Sequence, residues 1–516
     1  MPHTSRLSPW LLGRRGRTKT LGLPMSDDDE ILRTIALLEA MVDDRTKLAD
    51  MPREVRRQLL IAAGRLSRPE RGELRKLRKA IRKKENKNER VAAEVLLERT
   101  GIRQARKVPF FVTPPQLSDG DASRANEPPP IGVLFEERKC YVCKRAFREV
   151  HHFYDQMCGK CGALNWDKRN ATADLRGRVA VVTGSRVKIG YHAVIKLLRA
   201  GARVIATTRF PRDSAARYAR EPDFAEWRDR LTIVGLDLRH TPSVEAFCAE
   251  LDRTLDRLDF IVNNACQTVR RPPGFYRHLV DAELAPPPTE LRSLLALNDQ
   301  LHASSALARR ASTPGIADPV ALSQVALLPE ELREDLTLFP AGKLDADMQQ
   351  VDLRGRNSWR LLLHEVSTVE LLEVQLVNAI APYVLNGRLR ALMNRVPTND
   401  KHIVNVSAME GQFYRAFKTD KHPHTNMAKA ALNMMTRTSA ADYVRDGIHM
   451  NSVDTGWITD EDPIEISTRK VEEHGFSPPL DVVDGAARIV DPIIDGFRTG
   501  KHQFGLFLKD YVAIPW

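Results

Sequence analysis

Residues 178–190 read RVAVVTGSRVKIG, an apolar run that ends in a glycine turn, and YHAVIKLLRAG follows at 191–201. The first stretch has the β-branched content of a buried strand, and the second has apolar residues at helical spacing. Similar runs recur as RVIATTR at 203–209, LTIVGLDL at 231–238 and LDFIVNNA at 258–265. Strands that alternate with helices in units of about thirty residues indicate βαβ crossovers. We therefore predict an α/β fold with a doubly wound parallel sheet.

The glycine turn at 183–190 is a candidate dinucleotide site. A tight turn between a strand and a helix directs backbone N–H groups and the positive end of the helix dipole toward a pyrophosphate. The turn resembles the Thr-Gly-x-x-x-Gly-x-Gly loop of the short-chain dehydrogenase/reductase family, except that a lysine replaces the middle glycine. The cofactor-binding residues that this resemblance implies are Thr183, Gly184, Ser185, Arg186, Lys188, Ile189 and Gly190.

Three further motifs follow in the order that this family has. Asp237 resembles the acidic residue that contacts the adenine ring, and Thr459, after Thr455-Gly456, resembles the contact to the nicotinamide amide. The family's Asn-Asn-Ala-Gly motif is matched by Asn263, Asn264 and Ala265, with Cys266 in place of the glycine. The resemblance implies a Rossmann domain over residues 171–516.

The end of the second strand predicts the choice of cofactor. A carboxylate there would pair with the ribose hydroxyls of NAD, whereas a cation would pair with the extra phosphate of NADP. The strand ends in Thr208-Arg209, with Arg212 close behind, and the glycine turn adds Arg186 and Lys188. We therefore expect NADP(H) to be preferred over NAD(H).

The catalytic positions depart from the family pattern. The family uses a Tyr as proton donor with a Lys four residues later, and the matching segment has Lys429 preceded by Thr425. The family's Ser position falls on Ala408, next to Ser407. The usual catalytic Tyr and Ser are thus absent from the matching positions. Asn378 matches the Asn that kinks a helix and carries the proton relay in this family.

Other groups could supply the proton. His424 stands beside Thr425 and could act as the acid, because histidine is a common proton donor, and Ser407 could act if its loop is shifted. Tyr414 is another candidate if the loop that contains it folds back. Each of these side chains could equally pack the mouth of the cleft.

Residues at about 270–366 form an insertion far longer than a usual connection, which could serve as a lid, a partner surface or a plain surface excursion.

Four of the six cysteines form two Cys-x-x-Cys pairs within residues 133–170. Two such knuckles can bring four thiolates into a tetrahedron around one ion, and four sulfurs close the coordination shell. We therefore predict a structural zinc module, similar to a zinc ribbon, although iron is also compatible with these ligands. The nearby His151 and His152 could also be ligands, but with four thiols available we expect them to be surface or packing residues. The metal ligands are Cys140, Cys143, Cys158 and Cys161.

The region before the cysteines has three parts. Residues 1–24 form a basic tail that we expect to be disordered, residues 25–108 a basic helical region, and residues 109–132 a linker rich in Pro, Ser, Asp and Gly. The segment from Arg71 to Arg90 contains ten Lys or Arg residues and only three Glu residues. No aromatic residue interrupts this run, so a solvated charged face is favoured over a nucleic-acid surface.

The chain has 516 residues, a net charge of +12 and 42% hydrophobic residues, and no continuous apolar run approaches about 18 residues. Few cysteines outside the two pairs favour a reducing compartment, so a cytoplasmic location without a membrane span is expected.

The main functional expectation is an NADP(H)-dependent oxidoreductase acting on a carbonyl/alcohol pair or an enone. The alternatives are an NADP(H)-binding pseudoenzyme that contacts a partner protein, and a nucleic-acid-binding protein. The family also leads us to expect a homo-oligomer.

Overall fold

The computed structural model describes residues 27–117, 127–308, 316–332, 336–414, 418–459, 461–474 and 477–516. It divides into two units, Met1–Asn88 and Glu89–Trp516. The predicted basic tail lies outside the described residues. In chain order, the helices are α1 (Asp27–Asp43), α2 (Arg53–Ser67), α3 (Arg71–Glu98), α4 (Gly101–Arg106), α5 (Gly159–Asn170), α6 (Lys188–Arg199), α7 (Pro211–Tyr218), α8 (Phe224–Trp227), α9 (Thr241–Thr254), α10 (Pro273–Leu284), α11 (Arg292–Ala308), α12 (Pro319–Ser323), α13 (Thr368–Gln375), α14 (Ala381–Met393), α15 (Pro423–Tyr443), α16 (Ile464–His474) and α17 (Val482–Thr499).

The second unit is built on a parallel sheet, as the alternating pattern predicts. Its strands are β3 (Val179–Thr183), β4 (Arg203–Thr208), β5 (Leu231–Gly235), β6 (Phe260–Asn263), β7 (Lys401–Ser407), β8 (Ile448–Asp454), β9 (Phe507–Lys509) and β10 (Val512–Ile514), and β1 (Gly132–Lys139) and β2 (Ala146–Val150) form a separate antiparallel pair. The order is β10-β9-β8-β7-β6-β3-β4-β5, and only the β9–β10 pair is antiparallel. The predicted doubly wound α/β fold is therefore confirmed.

The strands β3, β6, β7 and β8 are buried along their whole length because helices cover both faces of the sheet. One core lies between the sheet and α6 and α17, and the other lies between the sheet and α9 and α14. The carboxyl ends of β3, β4, β6, β7 and β8 meet at one edge of the sheet. In such folds ligands bind at this edge, so this arrangement positions the functional site.

The four-cysteine region shares a core with the Rossmann domain instead of forming a separate body. Tyr154 and Met157 pack in the same cluster as Leu480 and Val483. The guanidinium of Arg169, at the end of α5, donates to both carboxylate oxygens of Asp481, at 2.6 and 2.8 Å. The region from β1 to α5 is thereby fixed to the start of α17.

The first part of the segment predicted as a linker, residues 109–132, is docked on the Rossmann domain. The backbone N–H of Phe111 donates to the carbonyl of Ala346 at 2.9 Å. The side chain of Arg199, on α6, donates to the carbonyl of Pro114 at 2.9 Å. These contacts satisfy backbone groups that an extended linker would leave to water.

The predicted insertion contains α10, α11 and α12 and several short turns. α11 packs along the edge strand β5, and the side-chain oxygen of Asn298 accepts from the N–H of Gly235 at 2.9 Å. Asp345, Gln349 and Gln350 reach the edge of the sheet where the strands end. The insertion therefore covers the open edge of the sheet and also contributes to the site described below.

The first unit contains α1, α2 and most of α3. Its apolar side chains, including Leu60 and Leu66, are largely exposed, and Met41 is buried. Within the second unit, the continuous helix Thr368–Met393 is long and apolar enough to cross a membrane by length and composition alone. Its Leu385 and Leu389 are fully buried in the core beside the sheet.

Candidate cofactor cleft and metal centre

A cleft of about 1030 Å³ opens at the carboxyl edge of the sheet. It runs from the glycine turn and the end of β4, past β6, to the ends of β7 and β8. We refer to the part at β3 and β4 as the nucleotide end and the part at β7 and β8 as the reaction end. Most of the residues predicted from sequence line this cleft: Gly184, Arg186, Lys188, Ile189, Gly190, Arg209, Asp237, Asn264, Ala265, Ser407, Thr425, Lys429 and Thr459.

The glycine turn is locked to the segment after β6 by close backbone approach. The amide of Asn264 donates to the carbonyls of Thr183 and Gly184, at 3.1 and 3.0 Å. Gly184 has a φ of +67°, and an added Cβ would lie 2.7 Å from the Cα of Ala265. A Cβ on Gly190 would collide with the carbonyl of Gly184. Glycine is therefore required at both positions, and the resulting cradle at the start of α6 suits a pyrophosphate.

Lys188 stands where the family motif has its middle glycine. Its φ is +55°, in the left-handed region that favours glycine. Burial lowers the pKa of Lys188, but the carboxylates of Glu461, Asp347 and Asp345 outweigh this effect and the pKa is raised. The ammonium group is thus retained in the cleft, facing acids from the insertion and from the segment after β8.

At the nucleotide end, the cation predicted to select NADP is held by the insertion. The guanidinium of Arg209 lies 4.4 Å from the ring centroid of Tyr276, on α10, and donates to its hydroxyl at 2.6 Å. Arg186 forms an ion pair with Asp213 at 2.8 Å. Arg212 does not line the cleft; its backbone N–H donates to Glu283 and its side chain donates to carbonyls in the insertion.

Three predicted cofactor residues have structural contacts instead of positions in the cleft wall. The hydroxyl of Thr183 accepts from the N–H of Ala265 at 3.0 Å. The hydroxyl of Ser185 donates to the carbonyl of Thr207 at 3.1 Å, and Ser185 is fully buried. The amide of Asn263 donates to the side-chain oxygens of two other buried asparagines, Asn386 and Asn405. These side chains shape the cleft from behind, and none of them is among its lining residues.

Asp237 lines the cleft but already has a strong partner. Its carboxylate accepts from the guanidinium of Arg239, with a shortest distance of 2.6 Å. Burial raises the pKa of Asp237, but the hydrogen bonds and charge of Arg239 outweigh it and the pKa is lowered. The predicted contact to adenine would therefore be made by an ionised Asp237 that also binds Arg239.

At the reaction end, Lys429, Ser407 and Thr425 are buried and lie together in the cleft wall. The ammonium of Lys429 donates to the carbonyl of Val406 at 2.7 Å, and the hydroxyl of Ser407 donates to the side-chain oxygen of Asn433 at 2.6 Å. The hydroxyl of Thr425 makes no hydrogen bond within the described part of the chain. It is therefore the polar group of this trio that is left without a partner.

Asn378 lies in an irregular turn between α13 and α14. Residues Leu376–Ile380 form a π-helical turn, the kind of irregularity that the resemblance implied for this position. The amide oxygen of Asn378 accepts from the N–H of Gln267 at 2.7 Å, and its NH₂ donates to the carbonyl of the same residue at 3.0 Å. These bonds tie the helix to the segment after β6, beside the cleft.

The structure does not bring the other two proton-donor candidates to the cleft. His424 is 2% exposed, and its Nε2 lies 3.7 Å from Glu370, on α13. Tyr414 is half exposed. Neither residue is among those that line the cleft. The burial of His424 agrees with a packing role, whereas the half-exposed Tyr414 lies outside the cleft lining.

The four cysteines of the two knuckles converge on one point. The Sγ atoms of Cys140, Cys143, Cys158 and Cys161 all lie within 4.8 Å of one another, and Cys143 and Cys158 are 3.8 Å apart. A tetrahedral ion with Zn–S bonds of about 2.3 Å places its sulfurs about 3.8 Å apart. The donor set and its spacing therefore fit a closed zinc site.

His151 and His152 form a second cluster with Glu127. The Nδ1 of His151 accepts from the backbone N–H groups of Phe153 and Tyr154, at 3.0 and 3.2 Å. This fixes the proton of the neutral ring on Nε2, which lies 2.6 Å from Glu127 and donates to it. A protonated nitrogen cannot bind a metal, so His151 is a packing residue, as the sequence indicated, although it is buried and not on the surface.

The cleft also contains residues that the sequence did not point to. Tyr141 and Lys144 come from the first cysteine knuckle, Tyr276 comes from the insertion, and Trp457 and Lys509 come from the segments after β8 and β9. No motif marks these side chains, because their contacts join residues that lie 55 to 316 positions apart in the chain. The only local sign is the position of Tyr141 between two metal ligands.

Two family models match separate parts of the Rossmann domain. Residues 178–279 match the family model described as short chain dehydrogenase, and residues 355–474 match the model described as enoyl-(acyl carrier protein) reductase. The chain belongs to the short-chain dehydrogenase/reductase family. The stretch between the two matches, residues 280–354, falls inside the predicted insertion.

Relatives of this protein align with very different fractions of its chain. "Uncharacterized protein R665" of Acanthamoeba polyphaga mimivirus is 32% identical over 374 residues, which cover 69% of this chain and 71% of that protein. "Short chain dehydrogenase/reductase dpchH" of Colletotrichum higginsianum is 36% identical over 108 residues, 20% of this chain and 26% of that protein. Among solved structures, an NADPH-bound carbonyl reductase from chicken fatty liver has a TM-score of 0.40 and 17% identity, covering 66% of this chain and all of that one.

Proposed function

We propose that this protein is an NADP(H)-binding oxidoreductase that reduces or oxidises a carbonyl/alcohol pair or an enone. The observation that carries the proposal is the glycine turn locked to Asn264 and Ala265 at the carboxyl edge of the sheet, which leaves backbone groups and the start of α6 facing the cleft. Lys429 and Thr459 line the same cleft farther along. The nucleotide and the reacting group would thus share one continuous cleft.

The cofactor would be held by backbone and charge. The glycine turn and Lys188 suit the pyrophosphate, Arg209 and Arg186 suit the extra phosphate of NADP, and Lys429 and Thr459 suit the nicotinamide half. When bound, the cofactor supplies the hydride. The protein's own part is to orient the substrate, exclude water and transfer a proton.

The preference for NADP(H) rests on the charge at the end of β4. Thr208 and Arg209 line the cleft there, and Asp213, the nearest acid in sequence, has its carboxylate paired with Arg186 and Arg217. An acid already bound by two guanidinium groups is a poor partner for ribose hydroxyls. Arg209 is therefore expected to meet the phosphate of NADP.

The second part of the proposal is a structural zinc ion on the four cysteines. Four thiolates close its shell, so the ion would have no open position for a substrate. Its contribution would be folding energy for the region from β1 to α5.

A pseudoenzyme that binds NADP(H) as a ligand is the second candidate. It is favoured by the hydrogen bonds that already engage Lys429 and Ser407 and by the absence of the family's tyrosine from its usual position. Such a protein would bind the cofactor without turning it over, with the insertion or the N-terminal region as a surface for a partner.

A pair of glycine variants tests cofactor binding at this site. Gly190→Ala should abolish NADPH binding, because the added Cβ collides with the carbonyl of Gly184. Gly387→Ala, on a helix where a Cβ meets nothing within 4 Å, is the matched control and should bind like the wild type. Quenching of protein fluorescence by NADPH measures binding, and thermal melting confirms that both variants fold. Equal binding by a folded Gly190→Ala would contradict the site.

Oxidation of NADPH, followed by its absorbance, then separates the two candidates. The oxidoreductase should consume NADPH with at least one aldehyde, ketone or enone. Tight NADPH binding with no turnover across all three classes would establish the pseudoenzyme instead.

A further inference from the structure

The long helix α3 exposes an apolar stripe. Leu77, Ile81, Val91 and Val95 are 54%, 47%, 56% and 61% exposed. At 3.6 residues per turn, these four side chains fall within about 80° of one another around the helix. Large apolar side chains that share one face of a helix and remain exposed to water indicate an interaction surface.

The spacing of this stripe is that of a coiled coil. Its positions alternate by three and four residues, which is the 3.5-residue period of a heptad. With the heptad written as abcdefg, five of the seven a and d positions between residues 74 and 95 are apolar. We call these seven residues the seam: Leu74, Ile81, Asn88 and Val95 at a, and Leu77, Lys84 and Val91 at d.

The part of α3 that packs within its own chain lies on another face. Ala93, Leu96 and Leu97 pack with Leu134 of β1 and Val150 of β2. These three helix residues occupy positions f, b and c of the heptad, away from a and d. The seam is therefore left exposed by this packing.

The basic residues of α3 also lie mostly outside the seam. Because the b, c and f positions of a coiled coil face water, cations there do not oppose pairing. Lys84 holds a d position, and its long stem can carry the ammonium out to water. Six of the ten Lys or Arg residues between Arg71 and Arg90 stand at b, c or f: Arg75, Lys76, Lys79, Arg82, Lys83 and Arg90.

We propose that α3 pairs with α3 of a second copy of this chain, as a parallel two-stranded coiled coil along the seam. β-Branched residues at a, here Ile81 and Val95, together with Leu77 at d, favour two strands. The helix has 28 residues, so its length of about 42 Å accommodates three heptads.

Two polar positions favour an identical partner in a parallel register. Asn88 at a would face Asn88 of the second copy only if the helices are parallel and in register, and its amide can both donate and accept. Glu73, at g, would face Arg78, at e, of the second copy, which pairs opposite charges. Both residues are exposed in the single chain.

This inference does not depend on the proposed oxidoreductase function. The seam residues are not among the described residues that line the cofactor cleft. Loss of the coiled coil should therefore leave zinc content and NADPH affinity unchanged, and both serve as checks that a variant is folded.

Sedimentation of the full, zinc-loaded chain tests the partner. Ile81→Asp places a charge at the centre of the seam and should halve the mass of the wild-type assembly. Leu66→Asp makes the same kind of change at a side chain on α2 that is 82% exposed, and it should keep the wild-type mass. An assembly that loses mass in Leu66→Asp and not in Ile81→Asp would contradict the seam.

Disulfide formation tests the register. In a Cys266→Ser background, which removes the exposed thiol outside the metal cluster, Asn88→Cys should form a covalent dimer with oxidised glutathione. Asn86→Cys, at the outer f position of the same helix, is the matched control and should remain a single chain on a non-reducing gel. Equal cross-linking of the two variants, or cross-linking of Asn86→Cys alone, would overturn the parallel pairing.

A wild type that sediments as a single chain would overturn the proposal altogether. Binding of that single chain to RNA, or to vesicles of anionic phospholipid, would then assign the basic helix to that partner instead.

Discussion

The two ends of the cleft depart from the family in different ways. At the nucleotide end Lys188 stands where the family motif has a glycine, and its backbone adopts the left-handed conformation that favours glycine. At the reaction end Lys429 and Asn378 match the family pattern, but Thr425 stands at the position that the resemblance gives to the tyrosine. The first end depends on backbone N–H groups, which any residue with the right φ can present. Proton transfer at the second end would depend on one specific side chain, which backbone geometry cannot replace.

Both ends also contain residues from outside the strands and helices of the Rossmann sheet, namely from the insertion and from the cysteine knuckle. The insertion contributes Tyr276 to the nucleotide end, and the cysteine knuckle contributes Tyr141 to the reaction end. In each case the added residue bonds to a group of the Rossmann domain: the guanidinium of Arg209 or the N–H of Trp457. The added regions are thus part of the cleft, and the following predictions test each end in turn.

The largest effect is expected at the reaction end, from loss of the metal. Cys161→Ser should lose the zinc and much of the stability of the shared core, because metal binding contributes to folding and Cys161 is buried in that core. Metal analysis and thermal melting measure both. Cys266→Ser, an exposed thiol outside the cluster, is the control and should retain one zinc per chain. Full zinc content in Cys161→Ser would contradict the site.

At the nucleotide end, reversing the charge of Arg209 should have the next largest effect. Arg209→Asp should weaken NADPH binding about 10–150-fold, the range for a lost hydrogen bond between charged groups of about 1.5–3 kcal/mol. NADH binding should be kept or improved, since an acid can pair with ribose hydroxyls. Competitive titration with both cofactors measures the ratio. Arg437→Asp, exposed on α15, controls for net charge, and an unchanged ratio in Arg209→Asp would refute the assignment.

The contribution of the insertion to this end should be smaller. Tyr276→Phe keeps the ring against Arg209 but removes the acceptor of its hydrogen bond, which is 2.6 Å long. A single hydrogen bond of about 0.5–1.5 kcal/mol corresponds to a loss of about two- to tenfold in NADPH affinity. NADH affinity should not change. An equal loss for both cofactors would show that Tyr276 supports the cleft in general and does not orient Arg209.

The smallest effect is expected on the pH dependence of stability, from the titration of Glu283, which anchors α10 to α7. Glu283 accepts from the N–H groups of Arg212 and Asp213, and burial raises its pKa from 4.5 to about 7. Because the folded pKa is the higher one, its contribution to stability is present below pH 4.5 and is lost as pH rises through about 7. Between pH 5 and 8, the melting temperature of Glu283→Gln should lack the part of the decline that Glu283 causes in the wild type. Parallel wild-type and variant curves would rule out this titration.

Much of the nucleotide end could be predicted from the sequence, because it is made from contiguous segments. The turn at Gly184 and Gly190 and the strand end at Arg209 are local patterns, and the structure places them in one cleft. The side chains of Ser185 and Asn263 could not be oriented from the sequence, since a motif does not show which residues face inward. Tyr141 and Tyr276 could not be predicted because each meets its partner only through the tertiary fold.

Calorimetric titration of the zinc-loaded protein with NADPH and with NADH tests the central claim most directly. Our account predicts one NADPH bound per chain, with a smaller dissociation constant than for NADH and loss of binding in Gly190→Ala. No binding of either cofactor to the folded, zinc-loaded protein would contradict it.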